Sequence, residues 1–225
     1  MHAPTPLFLH EEVMLLCLEE EEGKMEFGAW YQQAVAAAVM AELLLAGRVE
    51  LEDPDKKKLV RVRSTEPLGN ELIDEWIQTL AADSKERKLT HWTAKIGGSK
   101  DLKGRVARAL ADKRILKVEE GKVLLFFSVE RYPERDARPE REIRARLRKA
   151  VMGSGAVEPR TAALLAIAKA ASLLRFEFDK HELKERKERI ERVVAGQAAG
   201  EAVDQAIQAA QAAVVAAVIV PTIIT

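Results

Sequence analysis

Lys100 and Lys103 follow the dipeptide Gly97-Gly98 and Ser99 at a break between two helical stretches, a spacing that suits phosphate chemistry. The first amides of a helix lack intrahelical partners and sit at the positive end of its dipole, so a glycine entry followed by lysines can hold an anion. With Ser99 as the N-cap, Lys100 and Lys103 stand about 60° apart on the helical wheel and reach one phosphate, whereas Arg105 points about 140° or more from each. Asp101 opposes an anion there, although a first-turn acid also complements the dipole. On spacing alone, an exposed and solvated helix start accounts for the same residues.

Other chemistry has little foothold. There is no Gly-x-Ser-x-Gly elbow, no P-loop, no Gly-x-Gly-x-x-Gly after a strand and no His-Glu-x-x-His. His2, His10, His91 and His181 are scattered without ligand spacing. Cys17, in an apolar stretch, reads as an inert buried thiol, and as the single cysteine it excludes an intramolecular disulfide. The expectation is a protein that is not an enzyme and needs no cofactor or metal.

The elements that must position the two lysines come from 225 residues, 48% hydrophobic and 32% charged, enough apolar material for a real core. Lys+Arg 36 against Asp+Glu 36 leaves no global field to drive binding to nucleic acid or membrane, so any such binding is local. Locally the charge separates: residues 1 to 24 carry six acids against one base, and residues 83 to 117 carry eleven bases against four acids. Residues 1 to 10 have no basic n-region and the run Ala212 to Val220 is half of a membrane span, so the reading expects a cytosolic chain with that run as a core helix.

The pattern predicts a mainly α fold, a single domain over 1–225, with central apolar helices, amphipathic helices around them and two β-hairpins. His10 to about Leu18 reads as a helix packing on one side, and Phe27 to Leu45, ended by Gly47, as a helix buried on most faces. Val49 to Glu52 and Leu59 to Arg63 read as a hairpin, with Lys56, Lys57 and Lys58 near its turn. Asn70 caps a helix with Leu72, Ile73, Trp76, Ile77 and Leu80 inward. A basic helix around Arg87 to Ile96 precedes the Gly97-Gly98 break, and the helix after it points Leu102, Val106 and Leu110 inward.

Ile115 to Val118 and Val123 to Val129, joined by Glu119-Glu120-Gly121-Lys122, read as the second hairpin, whose run Val123, Leu124, Leu125, Phe126, Phe127 breaks alternation and asks for an apolar partner. Helices follow at Glu140 to Met152, Pro159 to Leu174, His181 to Ala195 and Glu201 to Val220.

Several blocks resemble the Golgi phosphoprotein 3 family, in order and almost end to end: Leu7-Phe8-Leu9-His10-Glu11-Glu12-Val13-Met14-Leu15-Leu16, Ala41-Glu42-Leu43-Leu44-Leu45-Ala46-Gly47-Arg48-Val49-Glu50-Leu51, Gly69-Asn70-Glu71-Leu72-Ile73-Asp74-Glu75, His91-Trp92, Leu110 to Leu116, Arg131-Tyr132-Pro133 and Pro159 to Leu165. The resemblance implies a peripheral membrane protein that binds phosphatidylinositol 4-phosphate, on the cytosolic face of the Golgi in a eukaryote. It also implies an adaptor for the basic tails of membrane proteins, and a hydrophobic hairpin for insertion or self-association. The family's headgroup pocket uses a tryptophan, an arginine in the second helix and two arginines three apart.

Carried onto this chain, the arginine pair falls on Lys100 and Lys103, which keep the charge without the planar fork. The tryptophan falls on Phe27, with Trp30 one turn later as the alternative, and the second-helix arginine falls on Ala36. The hairpin falls on Lys117 to Val129, with Val123, Leu124, Leu125 and Phe126 as inserting residues, and Phe8 removes a helix cap that the family has as Ser or Thr. Glu19 to Glu22 would receive a basic tail. Two competing readings stand beside this: a soluble self-associating adaptor joined through the hairpin, and a winged-helix nucleic-acid binder. The second is disfavoured by the absence of Asn or Gln on Lys100 to Arg114 and by an acidic wing tip at Glu119-Glu120.

Overall fold

The computed structural model describes residues 6–18, 31–52, 59–123 and 127–196, those among 120–129 by backbone alone. In chain order the elements are α1 (Leu9–Leu16), α2 (Tyr31–Leu45), β1 (Val49–Glu52), β2 (Leu59–Val62) and α3 (Glu71–Ala82). Next come β3 (Arg87–Lys88), α4 (Leu89–Gly97), α5 (Leu102–Asp112), β4 (Glu119–Val123) and β5 (Phe127–Arg131). The last five are α6 (Arg138–Met152), α7 (Pro159–Ala170), α8 (Leu174–Glu177), α9 (Lys180–Glu185) and α10 (Lys187–Val194). The fold is mainly α, as the patterning predicts, with strands β1-β2-β3 in one antiparallel sheet and β4-β5 as a separate hairpin.

Helices α1, α2 and α7 form the centre, each packed on the other two. Ala34 to Leu43 of α2 and Thr161 to Ala168 of α7 are buried without interruption, because alanine on most faces lets neighbours approach from every side. Around them α4 packs on α2, α5 and α6 on α1, and α10 on α7. Gly47 ends α2 with φ +64, and Arg48 N–H reaches back to Leu43 C=O at 2.9 Å, which completes a left-handed glycine stop. Asn70 caps α3 by accepting Ile73 N–H at 3.2 Å.

Several expectations need correction. Helix α1 does not pack on one side only: all eight of its residues are buried, Glu11 and Glu12 included, because α2, α5, α6 and α7 surround it. Arg87–Lys88 is not helical but pairs with β2, and α4 starts at Leu89. Helix α7 stops at Ala170, where Ser172 takes φ 60 and Leu173 N–H bonds Ala168 C=O, so the predicted continuation to Leu174 is broken. The predicted helix His181 to Ala195 is two, α9 and α10, with Arg186 at the joint. Glu201 to Val220, Lys56 to Lys58 and the start of the Phe27 helix lie outside the described residues.

A buried α1 needs interior partners for the amides at its N-terminus. Phe8 stands at the N-cap position and has no side-chain acceptor, so carboxylates take over: Glu11 accepts Phe8 N–H at 2.8 Å and Glu42, on α2, accepts Leu9 N–H at 2.6 Å. These charges are neutralised from three elements. Lys113 reaches Glu11 at 2.7 Å, Arg146 of α6 reaches Glu12 at 2.6 Å, and Arg160 of α7 reaches Glu42 at 2.7 Å, Glu12 at 3.5 Å and Leu7 C=O at 2.6 Å. Burial pushes the Glu12 carboxyl up from its ordinary range while Arg146 and Arg160 pull it down. His10 is fully buried, stacked on Phe8, and neither ring nitrogen finds a hydrogen-bond partner among the described residues. Burial, with Lys113 and Arg160 nearby, lowers its pKa from 6.5 to about 3.

Arg160→Met strands Glu42 and Glu12, and should cost about 3 kcal/mol in urea unfolding, whereas Glu42→Gln, which keeps an acceptor for Leu9 N–H, should cost less. A loss below that of an exposed ion pair would show that Arg160 does not hold the cluster together. His10 titrates lower in the folded chain than in the unfolded one, so as the pH falls below 6.5 the unfolded chain takes up the proton first and stability is lost down to about 3. Glu12, raised above its unfolded 4.5, works the other way, since acidification relieves its burial. His10→Gln should therefore flatten a slope of about 1.4 kcal/mol per pH unit in urea titrations between about pH 6.5 and about pH 4.5.

Candidate functional site

The sequence around Gly97 folds as a tight passage between α4 and α5. A Cβ on Gly97 would lie 3.4 Å from Gln32 C=O and 3.7 Å from the Ala36 Cβ, so the last turn of α4 rests directly on α2. Ser99 does not cap α5. Its hydroxyl donates to Ile96 C=O at 2.6 Å, closing α4, and α5 begins at Leu102 after Asp101 in a left-handed conformation, φ 54, with no side-chain cap bond. Lys100 therefore precedes the helix, and the predicted wheel angle between Lys100 and Lys103 does not apply. The two lysines instead stand on either side of the chain entry to an uncapped first turn.

Lys100 is exposed and has no ion-pair partner among the described residues. Lys103 is half-buried, its ammonium 4.9 Å from the centre of the Tyr132 ring. Burial lowers the Lys103 pKa from its ordinary value, and Glu130 pulls it back up. Tyr132 donates its hydroxyl proton to Glu130, and burial followed by that bond pushes the phenol pKa up. Arg108 pairs with Asp101 and lies 4.0 Å from Glu130, which ties the start of α5 to β5. The Asp101–Arg108 pair passes over Gly104, where a Cβ would strike both side chains. Arg105 turns away to Glu75 of α3, as its position predicts.

The residues expected at the site do not all fall in view. Phe27, Trp30 and the acidic run Glu19 to Glu22 lie outside the described residues, as do Leu124, Leu125 and Phe126. Ala36, on which the resemblance puts a second-helix arginine, is fully buried beneath the α4 turn, next to Gly97. The second hairpin is displaced from its predicted register. Glu119-Glu120-Gly121-Lys122 is not the turn but most of β4, with Glu120 opposite Glu130 and Val123 opposite Phe127, and residues 124–126 make the connection. Turn-like composition gave way there to ladder pairing, and Arg108 and Tyr132 offset the charge of Glu130. The acidic wing tip expected at Glu119-Glu120 is therefore absent from that place.

Two grooves of about 180 Å³ and 360 Å³ lie elsewhere, the first beside β2 and the second among α7, α9 and α10. Sequence reasoning placed Asp101 beside the lysines but missed its pairing with Arg108 and the approach of Glu130. The seven-residue spacing of Asp101 and Arg108, two helical turns, was the available signal.

The Asp101 carboxylate competes with an incoming anion, and its residue sits where the backbone favours glycine. Asp101→Gly should leave thermal stability nearly unchanged, since the Arg108 pair is exposed, and should raise the affinity of the start of α5 for an added inorganic anion such as pyrophosphate about fivefold by removing a surface charge. Titration calorimetry on both proteins checks this, and equal affinities would place the anion elsewhere.

Among the described residues, no helix is long and apolar enough to cross a membrane. No curated protein is similar enough to the chain to match it. A family model does match, over residues 9–210, which contain every described element except the approach to α1. The model is that of Golgi phosphoprotein 3 (GPP34), a match that points to a Golgi-associated membrane or trafficking role, and the chain belongs to that family.

Proposed function

We propose that this chain is a peripheral membrane protein that binds a phosphorylated anionic lipid headgroup, phosphatidylinositol 4-phosphate by family, at the start of α5. The role is one of binding and not catalysis. The observation that carries the reading is the bracket formed by Lys100 and Lys103 around an uncapped helix start, with neither lysine in an ion pair among the described residues. The reading requires the amides of the first turn and both ammonium groups to reach one phosphate.

Support comes from the neighbouring hairpin. Among the described residues Val118 is the large hydrophobic side chain left exposed, at 41%, just before β4. The connection between β4 and β5 carries Leu124, Leu125 and Phe126, residues that suit an apolar leaflet. Burying one or two such side chains contributes about 1.5 to 3 kcal/mol each, enough with the lysines for reversible docking. Ala36 withholds one cation, so selectivity among phosphoinositides should be weak. An adaptor role for the tails of membrane proteins follows from the same family reading.

Liposome flotation tests the proposal. The wild-type chain should float with vesicles containing phosphatidylinositol 4-phosphate in preference to phosphatidylserine, and Lys100→Glu with Lys103→Glu should lose that preference by more than about tenfold. Unchanged recovery of the double variant would remove these lysines from the mechanism. If vesicles are ignored and the chain self-associates only with an intact hairpin, the soluble adaptor reading replaces this one.

A further inference from the structure

The ladder of the β4–β5 hairpin does not end at Glu119 and Arg131. Leu116 bridges Glu134, Lys117 N–H bonds Pro133 C=O at 2.9 Å and Arg135 N–H bonds Ile115 C=O at 2.8 Å, all in the register that pairs Glu119 with Arg131. Because side chains alternate across a pleated pair and opposite residues share a face, this continuity sorts the hairpin base into two sides. Leu116 and Tyr132 fall on one side and are buried, with Val118 exposed beside them, while Ile115 is buried on the other. Lys117, Arg131 and Arg135 fall on the other, Lys117 diagonal to both arginines, where like charges repel.

Lys117 and Arg135 are exposed and Arg131 is half-buried, and none of the three has an ion-pair partner among the described residues. The acid on that face is Glu119, opposite Arg131, which leaves an excess of two positive charges. Of the other ten cations of the basic stretch, four are held in ion pairs: Arg87 with Asp83, Arg105 with Glu75, Arg108 with Asp101, Lys113 with Glu11. A row of cations left unneutralised beside an apolar hairpin has the chemistry of a seat on an anionic surface.

We propose that Lys117, Arg131 and Arg135 form a second membrane contact, a headgroup-independent seat that draws the hairpin base onto an anionic bilayer. The proposal rests on the reading of this chain as a peripheral membrane protein, but it assigns these residues to surface charge and not to phosphate recognition. Each basic residue near an anionic surface raises partitioning about fivefold, so the three together supply on the order of a hundredfold at low salt. The attraction fades as salt shortens the Debye length.

The test uses the full chain and vesicles of phosphatidylcholine in which phosphatidylserine is the anionic lipid, with a second set containing phosphatidylinositol 4-phosphate. The triple variant Lys117→Gln, Arg131→Gln, Arg135→Gln should lose on the order of a hundredfold in partitioning to phosphatidylserine vesicles while keeping the wild-type ratio between the two vesicle types. Its melting temperature should equal or exceed the wild type's, since repulsion is removed. Equal partitioning of variant and wild type overturns the seat, as does a wild-type chain that ignores phosphatidylserine vesicles. Duplex DNA bound by the wild type and not by the variant, with vesicles bound by neither, overturns the membrane assignment. A wild-type chain that binds phosphatidylserine vesicles with no phosphoinositide preference sinks the headgroup reading at Lys100 and Lys103 and leaves the seat standing.

Discussion

The contact on which the rest of the structure depends is the Arg160 guanidinium laid against Glu42, Glu12 and the carbonyl of Leu7. An eight-residue helix enclosed by its neighbours cannot send its terminal amides to water, and Phe8 brings no acceptor of its own. Carboxylates from α1 itself and from α2 fill that need, and each brings a charge that the interior tolerates only when paired. Lys113, Arg146 and Arg160 supply the pairs from the end of α5, from α6 and from α7. Satisfying one helix terminus thus fixes four other helices about it. The Lys113 tie also fixes which way α5 runs, and so where its other end presents Lys100 and Lys103.

This explains which parts of the sequence look familiar. The block containing Glu11 and Glu12, the block containing Glu42, the block containing Lys113 and the block beginning Pro159-Arg160 each contribute one side of the buried cluster. The resemblance is therefore carried largely by residues that hold the fold, whereas the positions on which it puts headgroup recognition bear lysine at 100 and 103 and alanine at 36.

Legibility followed the strength of local signals. Helix α3 showed its five inward residues and its Asn70 cap, and Gly47 marked the end of α2, because periodicity and a left-handed glycine are both local. The burial of α1 was not legible, since nothing in Leu9 to Leu16 says that four other helices will close around it. At the junction, the glycines marked the break between α4 and α5, but the helix start was misplaced: Ser99 was free to serve either neighbour, and it closed α4. The second hairpin misled for a related reason. Glu-Glu-Gly-Lys has the composition of a turn, and only its pairing with β5 makes it a strand. Lys117, Arg131 and Arg135 could not be grouped before the register was known.

Helix α5 is bounded at both ends by side-chain-bearing residues in the left-handed region, Asp101 with φ 54 before it and Arg114 with φ 61 after it. Neither end can wind on without undoing that turn, so the eleven residues of α5 form a rod of about 16 Å. One end of the rod carries the lysine bracket and the other leads into the hairpin base. A rigid strut that joins two points of attachment sets the tilt at which a body rests on a plane, so on the proposed membrane reading the length of α5 would fix which side of this protein is turned away from the bilayer.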